Sequence, residues 1–285
     1  MPGRTVVFVP GFMQHADAWS PVAERVGERY PTLCVDPTGD SLAARMREIG
    51  QCVRAGDVLV GYSMGGRVAL RLAVEARPPL GGLVVVGASA GIEDPRARVR
   101  RREADDELAA WMETASIADV VRRWEQRQVF ASQTPELVAA QRPGRLAHDP
   151  RRLASLLRSA GQGATPPIWD RLPELSIPVL AVAGELDGAY ATQARRVATL
   201  MRRGEARIVR GAGHAAHLEQ RELPGHGLPG LEVANLDDVD ELVELFGDLV
   251  DRVDGAVEGQ RDAGDALVVG RPDGQRVDVE SAPRE

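Results

Sequence analysis

The sequence predicts an α/β fold in which a mostly parallel, twisted sheet is flanked by helices and carries an inserted helical cap. Short apolar runs recur along the chain, and each is followed by a turn and an amphipathic stretch. Alternating strands and helices are typical of a parallel sheet joined by right-handed crossovers. One long segment that lacks such apolar runs, residues 92–164, interrupts this alternation and predicts the cap.

The apolar runs are the predicted strands. They do not alternate polar and apolar residues, which is expected of strands that helices cover on both faces. These strands are Thr5–Val9, Leu33–Val35, Val58–Val60, Leu83–Val86, Val179–Ala183 and Ile208–Val209.

The amphipathic stretches between the runs are the predicted covering helices. They are Ala16–Arg29, Leu42–Arg54, Met64–Ala76 and Thr192–Arg203. A later stretch, Leu236–Val253, also has apolar residues at helical spacing and is expected to pack on the sheet.

The cap segment is dense in Arg and Glu, with helical patterns that break at Pro135, Pro143–Gly144 and Pro150. A disordered linker is the alternative, but Trp124 and Phe130 supply apolar anchors and favour a folded cap. We therefore predict a discontinuous core of residues 1–91 and 165–254, a helical cap at 92–164 and an acidic C-terminal tail at 255–285.

Composition narrows the classes of function. The chain has 285 residues, of which 44% are hydrophobic, enough for one sizeable core. Its net charge of −7 argues against a nucleic-acid partner. All 35 basic residues are arginine, so any anion site must use guanidinium groups, which bind carboxylates in bidentate geometry.

The same composition predicts a cytoplasmic protein without a membrane span or signal peptide, because no apolar run has the required length. Cys34 and Cys52 lack the spacing of metal ligands and are expected to be buried thiols in a reducing compartment. No metal and no cofactor are predicted.

Ser63 lies in the sequence GYSMG, which matches the pattern G-x-S-x-G. An apolar strand precedes it and an amphipathic helix follows, which is the setting of a nucleophile elbow. The alternative is a tight strand–helix turn without chemistry. A serine hydroxyl needs a base that shares its proton and an acid that orients this base.

The acid and the base are expected after later strands, in the order serine, acid, histidine. The strand at Val179–Ala183 is followed by Glu185 and Asp187, of which Asp187 reaches further. The strand at Ile208–Val209 is followed by His214 and, three residues later, His217; His214 is preferred because it comes directly at the strand exit. The predicted triad is Ser63, Asp187 and His214.

A backbone N–H group that could stabilise a negatively charged substrate oxygen is expected after the first strand, in the sequence PGF. The backbone N–H of Phe12 is predicted to form an oxyanion hole together with that of Met64. An ordinary strand-end turn is the alternative.

Several longer stretches point to a particular family: GYSMGGRVALRLA, RRREADDELA, WEQRQVF, RLAHDPRRLASLLRSAGQG, AGELDGAY and AGHAAHLE. From Thr5 to about Glu219 the chain resembles the α/β-hydrolase-fold superfamily. Within it, the chain more closely resembles the 2-succinyl-6-hydroxy-2,4-cyclohexadiene-1-carboxylate (SHCHC) synthases of menaquinone biosynthesis.

The resemblance implies a carbon–oxygen lyase rather than an ester hydrolase. Such enzymes remove a proton next to a ketone and expel pyruvate from a cyclohexene that carries several carboxylates. The implied partner is thus a small-molecule polycarboxylate, with Ser63 acting as base. A serine carboxylester or thioester hydrolase with the same triad stays open as an alternative, as does a non-catalytic ligand-binding protein.

The polyanionic substrate implies fixed positive charge near the serine. By resemblance, the carboxylates would be bound by Arg67, Arg101 and Arg145, and the cavity would be lined by Tyr62, Trp124 and Phe130. A solvated helix face is the alternative for each arginine, and core packing for Trp124 and Phe130. If the register of the cap is shifted, the competing arginines are Arg100, Arg102 and Arg142.

Overall fold

The computed structural model describes residues 4–219, 235–236, 244 and 248. Within them, strands form one sheet in the order β2-β1-β3-β4-β5-β6-β7, and all neighbouring strands are parallel. The strands are Val6–Val9 (β1), Thr32–Cys34 (β2), Val58–Tyr62 (β3), Gly82–Val86 (β4), Val179–Gly184 (β5), Gly204–Val209 (β6) and Asn235–Leu236 (β7).

The helices of the core connect these strands and lie against the sheet. They are Ser20–Gly27 (α1), Leu42–Cys52 (α2), Met64–Glu75 (α3) and Gly188–Leu200 (α8). The cap helices lie between β4 and β5: Pro95–Met112 (α4), Ile117–Glu125 (α5), Pro135–Leu146 (α6) and Pro150–Ala160 (α7). Short 3-10 helices occur at Ala16–Trp19, Gln128–Phe130 and Trp169–Glu174.

The predicted α/β fold is confirmed, and the reason lies in the burial of the strands. Every residue of β1, β3, β4 and β5 is buried. Successive side chains of a strand point to opposite faces, so on β1 Val7 and Val9 join one core cluster while Val6 and Phe8 join the other. A strand that is buried on both faces has to be apolar throughout, which is the pattern that predicted it.

Several predicted boundaries were wrong. The stretch Ala16–Arg29 is a 3-10 helix followed by a short α1, because Pro21 lies in the first turn of α1. The helix predicted at Thr192–Arg203 begins at Gly188, where Asp187 is its N-cap. Strand β6 begins at Gly204, well before the predicted Ile208. The prediction missed its first residues because they include polar side chains and are only half-buried.

The cap helices begin at capping side chains. Asp94, Ser116, Thr134 and Asp149 each accept hydrogen bonds from backbone N–H groups in the first turns of α4, α5, α6 and α7. Pro135 and Pro150 start helices, as expected of proline at the first helical position.

The predicted break at Pro143–Gly144 was wrong, since α6 continues through both residues to Leu146. Helix α4 packs on α7, and α5 packs on α6. The exact division of the chain into core, cap and tail remains a prediction.

Part of the C-terminal prediction lies outside the described residues, including the tail at 255–285. Leu236 belongs to β7 and pairs with Val209, so the helix predicted from this residue does not begin there. Glu244 and Asp248 are helical. Cys34 and Cys52 are free thiols but only half-buried, where full burial was predicted. Among the described residues, no helix is long and apolar enough to cross a membrane.

Candidate active site

Ser63 lies in a strained turn between β3 and α3. Its φ of 50° and ψ of −110° lie in a region that side-chain-bearing residues rarely adopt. The turn requires the glycines two residues away on either side. A Cβ on Gly61 would lie 2.7 Å from the carbonyl group of Gly65, and one on Gly65 would lie 2.4 Å from the carbonyl oxygen of Pro10. This conformation therefore holds Ser63 at the carboxyl end of β3, against the turn that follows β1.

Ser63, His214 and Asp187 form a hydrogen-bonded chain across the ends of three strands. His214 Nε2 lies 2.9 Å from Ser63 Oγ, and His214 Nδ1 lies 2.7 Å from Asp187 Oδ2. When Asp187 accepts a hydrogen bond from Nδ1–H, Nε2 is left without a proton and can accept that of Ser63. The imidazole is nearly buried and packs beside Tyr190, at 4.6 Å between ring centroids. The three predicted residues thus meet in the geometry of a serine triad.

The competing residues take other positions. Glu185 is exposed and accepts a hydrogen bond from the backbone N–H of Gly211. His217 is buried between Trp19 and Tyr62, and its ring nitrogens have no partner in the described chain. Burial, and then the nearby His214, lower the pKa of His217 to about 3, so this ring is neutral at pH 7.

The loop that carries His214 is held by Glu219, which the sequence analysis missed. The Glu219 carboxylate accepts hydrogen bonds from the backbone N–H groups of Gly213 at 2.7 Å and Ala215 at 3.0 Å, on either side of the histidine. It also accepts one from Ser132 Oγ of the cap, at 2.6 Å. A buried carboxylate with these donors restrains the loop, and with it the imidazole.

A cavity of about 260 Å³ opens at Ser63, between the sheet and the cap. Its wall contains every predicted site residue except Asp187, which lies behind His214. The predicted residues on the wall are Phe12, Tyr62, Ser63, Met64, Arg67, Arg101, Trp124, Phe130, Arg145 and His214. The roles predicted for them are proposals that this placement supports.

Phe12 and Met64 reach the cavity from the two turns beside Ser63. Met64 is the first residue of α3, so its N–H precedes the hydrogen-bonded part of the helix and lies at the positive end of the helix dipole. Phe12 packs against Trp124 at 5.1 Å, and Trp124 packs against Phe130 at 5.7 Å. The aromatic side chains thus connect the turn after β1 to the cap.

The predicted arginines lie on the cavity wall in different environments. Arg67 donates from Nη1 to the carbonyl of Ala160, at 2.8 Å, and burial lowers its pKa to about 10. Arg101 donates to Asp105 Oδ1 at 2.9 Å and to Gln162 at 3.0 Å. Arg67 therefore stays charged at pH 7, and both guanidinium groups are anchored by neighbouring polar atoms.

Arg145 is deeply buried, with 2% of its surface exposed. Its guanidinium donates to Glu125 Oε1 and to Gln141 Oε1, both at 3.0 Å. The three competing arginines do not line the cavity: Arg100, Arg102 and Arg142 are exposed and lie beside surface or cap carboxylates. Arg101 and Arg145, rather than these three, therefore line the cavity, and their role in substrate binding stays a prediction.

Comparison with known proteins identifies the family. A sequence model described as "Alpha/beta hydrolase family" matches residues 6–223. The chain belongs to the alpha/beta hydrolase family.

Relatives within this family include SHCHC synthases. The enzyme of Salmonella paratyphi C is 31% identical over 236 residues, which cover 77% of this chain and 91% of that protein. The enzyme of Salmonella arizonae is 31% identical over 239 residues, with the same coverage. These are homologues of the chain at moderate identity, as the resemblance indicated.

Two solved structures resemble the structure of this chain. MenH from S. aureus matches with a TM-score of 0.77 and 25% identity, covering 88% of this chain and 94% of that one. A thermophilic esterase from Thermogutta terrifontis matches with a TM-score of 0.69 and 20% identity, over 88% of this chain and 90% of that one. The esterase shares the fold of this chain.

Sequence analysis of this alpha/beta hydrolase missed several residues of the cavity wall: Gln14, Asp105, Leu108, Arg127, Val129, Leu157, Gln162 and Tyr190. They come from distant segments. All of them except Gln14 fall inside the stretches that carry the family resemblance, but the stretches alone do not show which of their residues face the cavity. Across the residues that the structure describes, no cluster of three His, Cys, Asp or Glu side chains could hold a metal ion.

Proposed function

We propose that this protein is a carbon–oxygen lyase of menaquinone biosynthesis. It would convert 2-succinyl-5-enolpyruvyl-6-hydroxy-3-cyclohexene-1-carboxylate into SHCHC and pyruvate. The observation that carries the proposal is the Ser63–His214–Asp187 chain, which opens into a cavity with four arginines on its wall. A serine triad supplies a base, and the arginines suit a substrate with three carboxylates.

The reaction begins with removal of the proton at ring carbon C2, next to the succinyl ketone. Ser63 Oγ takes this proton while its own proton passes to His214 Nε2, over a distance of 2.9 Å. The Asp187 carboxylate stabilises the imidazolium that results. The base is thus the triad as a unit, with the serine oxygen as its contact with substrate.

Negative charge then develops on the ketone oxygen. The backbone N–H groups of Phe12 and Met64 are the proposed donors to this enolate, and the N-terminus of α3 adds its dipole. The electron pair then returns from the enolate to form the C2=C3 double bond, and the pair of the existing C3=C4 double bond shifts to form C4=C5. The C5–O bond breaks, and the enolpyruvate that leaves takes up a proton to become pyruvate. No electrons are gained or lost overall, so the reaction requires no redox cofactor.

Fixed positive charge selects the substrate and holds its ring over Ser63. Arg67 lies one helical turn after Ser63 on α3, and Arg101 reaches the cavity from α4. Tyr62, Trp124 and Phe130 supply apolar surface for the ring. Burial raises the pKa of Tyr62 well above its usual value, so its phenol stays protonated and can donate a hydrogen bond.

A coupled pyruvate assay tests the proposal. The purified protein, given the enolpyruvyl cyclohexene substrate together with lactate dehydrogenase and NADH, should release pyruvate in proportion to enzyme concentration. The Ser63→Ala protein is the matched control for spontaneous elimination. Hydrolysis of short nitrophenyl esters without pyruvate release would replace the lyase with a serine hydrolase that uses the same triad. If the protein catalyses neither pyruvate release nor ester hydrolysis, the remaining alternative is a protein that binds a ligand without catalysis.

A further inference from the structure

The positive charges on the cavity wall are compensated unevenly. Arg145 lies against Glu125, whose side chain is 8% exposed, with 3.0 Å between Nη1 and Oε1. Arg101 lies against Asp105, whose side chain is 7% exposed, at 2.9 Å. Each carboxylate offsets part of the charge of its arginine, although Glu125 is shared with the exposed Arg142, and 35% of the Arg101 side chain is exposed. Arg145 and Arg101 therefore each have N–H groups and part of their charge already bound to a carboxylate.

Arg127 lies on the same wall but has a different environment. Within the described residues, no side-chain hydrogen bond or carboxylate partner is found for its guanidinium. The group lies over the ring of Trp124, 4.9 Å from its centroid. Stacking on an aromatic face restrains the plane of a guanidinium while it leaves the N–H groups at its edge free to donate.

Arg127 both lines the cavity and is exposed to solvent. It therefore lies at the mouth of the cavity. Loss of water and then the like charge of Arg101 lower the pKa of Arg127. An anion bound between these groups would relieve their repulsion. The mouth of the cavity therefore favours a ligand carboxylate.

We propose that Arg127 binds a carboxylate of the substrate at the cavity mouth, and that it supplies positive charge there while Glu125 offsets part of the charge of Arg145. Arg67 is the other arginine of the wall with no carboxylate partner in the described chain; it donates only to a backbone carbonyl. A polycarboxylate would thus be bound at two points, deep in the cavity by Arg67 and at the mouth by Arg127. The assignment of this ligand class rests on the proposed function.

The chain offers a matched control for Arg127. Arg123 belongs to α5, two residues before the end of the helix, and its guanidinium also lies over a tryptophan, 4.5 Å from the centroid of Trp111. Arg123 does not line the cavity. The substitutions Arg127→Gln and Arg123→Gln change the net charge equally, so a difference between them reports local contact rather than long-range attraction.

Steady-state kinetics with the enolpyruvyl substrate provide the first measurement. A lost charge-assisted hydrogen bond is worth roughly 10- to 100-fold in affinity, so Arg127→Gln should raise KM by about that factor, with a smaller effect on kcat. Arg123→Gln should change KM by less than about twofold. Equal changes in KM for the two variants, or a loss confined to kcat in Arg127→Gln, would overturn the proposal.

A double variant tests the role of Glu125. Replacement of Glu125 by Gln removes the negative charge that Arg145 shares with Arg142, while keeping a hydrogen-bond acceptor in place. Introduced into the Arg127→Gln protein, it should recover part of the lost affinity, because the charge of Arg145 becomes available. The opposite result is a double variant that has a KM as high as that of Arg127→Gln, with unchanged thermal unfolding. That result would refute the claim that Glu125 limits the charge that Arg145 offers to the substrate.

Calorimetric titration with propane-1,2,3-tricarboxylate separates this inference from the lyase proposal, since it needs no turnover. Wild-type protein should bind this trianion, and Arg127→Gln should weaken its binding more than Arg123→Gln does. If pyruvate release fails while this difference remains, the lyase is wrong and the carboxylate site stands. If the wild-type protein binds neither the trianion nor the substrate, the carboxylate site is wrong as well.

Discussion

Ser63 and Arg127 face the same cavity, yet the molecule holds them in different ways. Ser63 is fixed by a strained backbone, two close glycines and a hydrogen bond to His214. Arg127 has no hydrogen-bonded side-chain partner among the described residues and is restrained by an aromatic face. The core therefore carries groups whose positions are determined by the sheet, whereas the cap carries charge that is left available for a ligand.

This contrast separates two requirements of the proposed reaction. Proton transfer needs atoms placed to within a few tenths of an ångström, which the ends of buried strands provide. Recognition of a polyanion needs positive charge that is not already neutralised, which a solvent-facing cap provides more readily. In the alpha/beta hydrolase family, the same core geometry can thus serve different substrates according to the residues of the cap.

The largest effect is expected in the core. Ser63→Ala and His214→Ala should each reduce kcat by roughly 10⁴- to 10⁶-fold, as losses of triad members do, with little change in thermal unfolding. The pyruvate assay measures this loss, and the double variant should be hardly slower than either single one, because the residues act as a unit. Turnover near that of the wild type in either protein would place the chemistry elsewhere.

Substitution of Arg67 tests whether charge near the serine acts on the substrate or only on the fold. Arg67→Ala should weaken the binding of the transition state of the polycarboxylate reaction by about 2–5 kcal/mol, roughly 30- to 5,000-fold in kcat/KM. Hydrolysis of a neutral nitrophenyl ester, where the protein catalyses it, should change little. The exposed Arg102→Ala is the control for net charge. Equal losses on charged and neutral substrates would mean that Arg67 is structural.

Substitution of Glu219 tests whether a residue that restrains the His214 loop, without contacting substrate, contributes to catalysis. Glu219→Gln weakens two charge-assisted bonds to the His214 loop and should lower kcat roughly tenfold, with KM nearly unchanged. Glu185→Gln is the matched control, because its carboxylate also accepts from a backbone N–H in a nearby turn but is exposed. A fall in thermal stability with kcat intact would assign Glu219 to the fold alone.

The smallest effect concerns stability rather than catalysis. The pKa of His217 is about 3 in the folded protein and 6.5 when exposed, so between these values the unfolded chain binds the extra proton. Stability therefore falls as the pH decreases through this window, by about 2 kcal/mol from pH 7 to pH 5 for this group.

His217→Phe removes the titrating ring while keeping an aromatic side chain between Trp19 and Tyr62. The decrease in midpoint of thermal unfolding between pH 7 and pH 5 should be smaller in this variant than in the wild type. An unchanged decrease would show that acid destabilisation arises from other groups.

The sheet and the triad were predictable because their signals are local. An apolar run, the glycines around Ser63, and the order of Asp187 and His214 after their strands can each be read within about ten residues. The strand β6 was predicted too short because Glu205 and Arg207 are polar, and their pairing with β5 depends on residues more than twenty positions away.

The cap shows where sequence reasoning reaches its limit. Arg101 and Arg145 were predicted on the cavity wall, and both lie there. The partner of Arg101, Asp105, was missed although it lies only four residues later on α4. The partner of Arg145 was not predictable from spacing, because Arg145 meets Glu125 only through the packing of α6 on α5, and the position of Arg127 at the mouth was not predicted either.

The sequence by itself determined the fold class, the elbow and the order of the triad, since backbone conformation and burial of a strand follow from neighbouring residues. Tertiary structure alone decided which of many arginines line the cavity and which of those keep a free charge. Electrostatic compensation depends on distance in space and on exclusion of water, and neither is encoded by spacing along the chain.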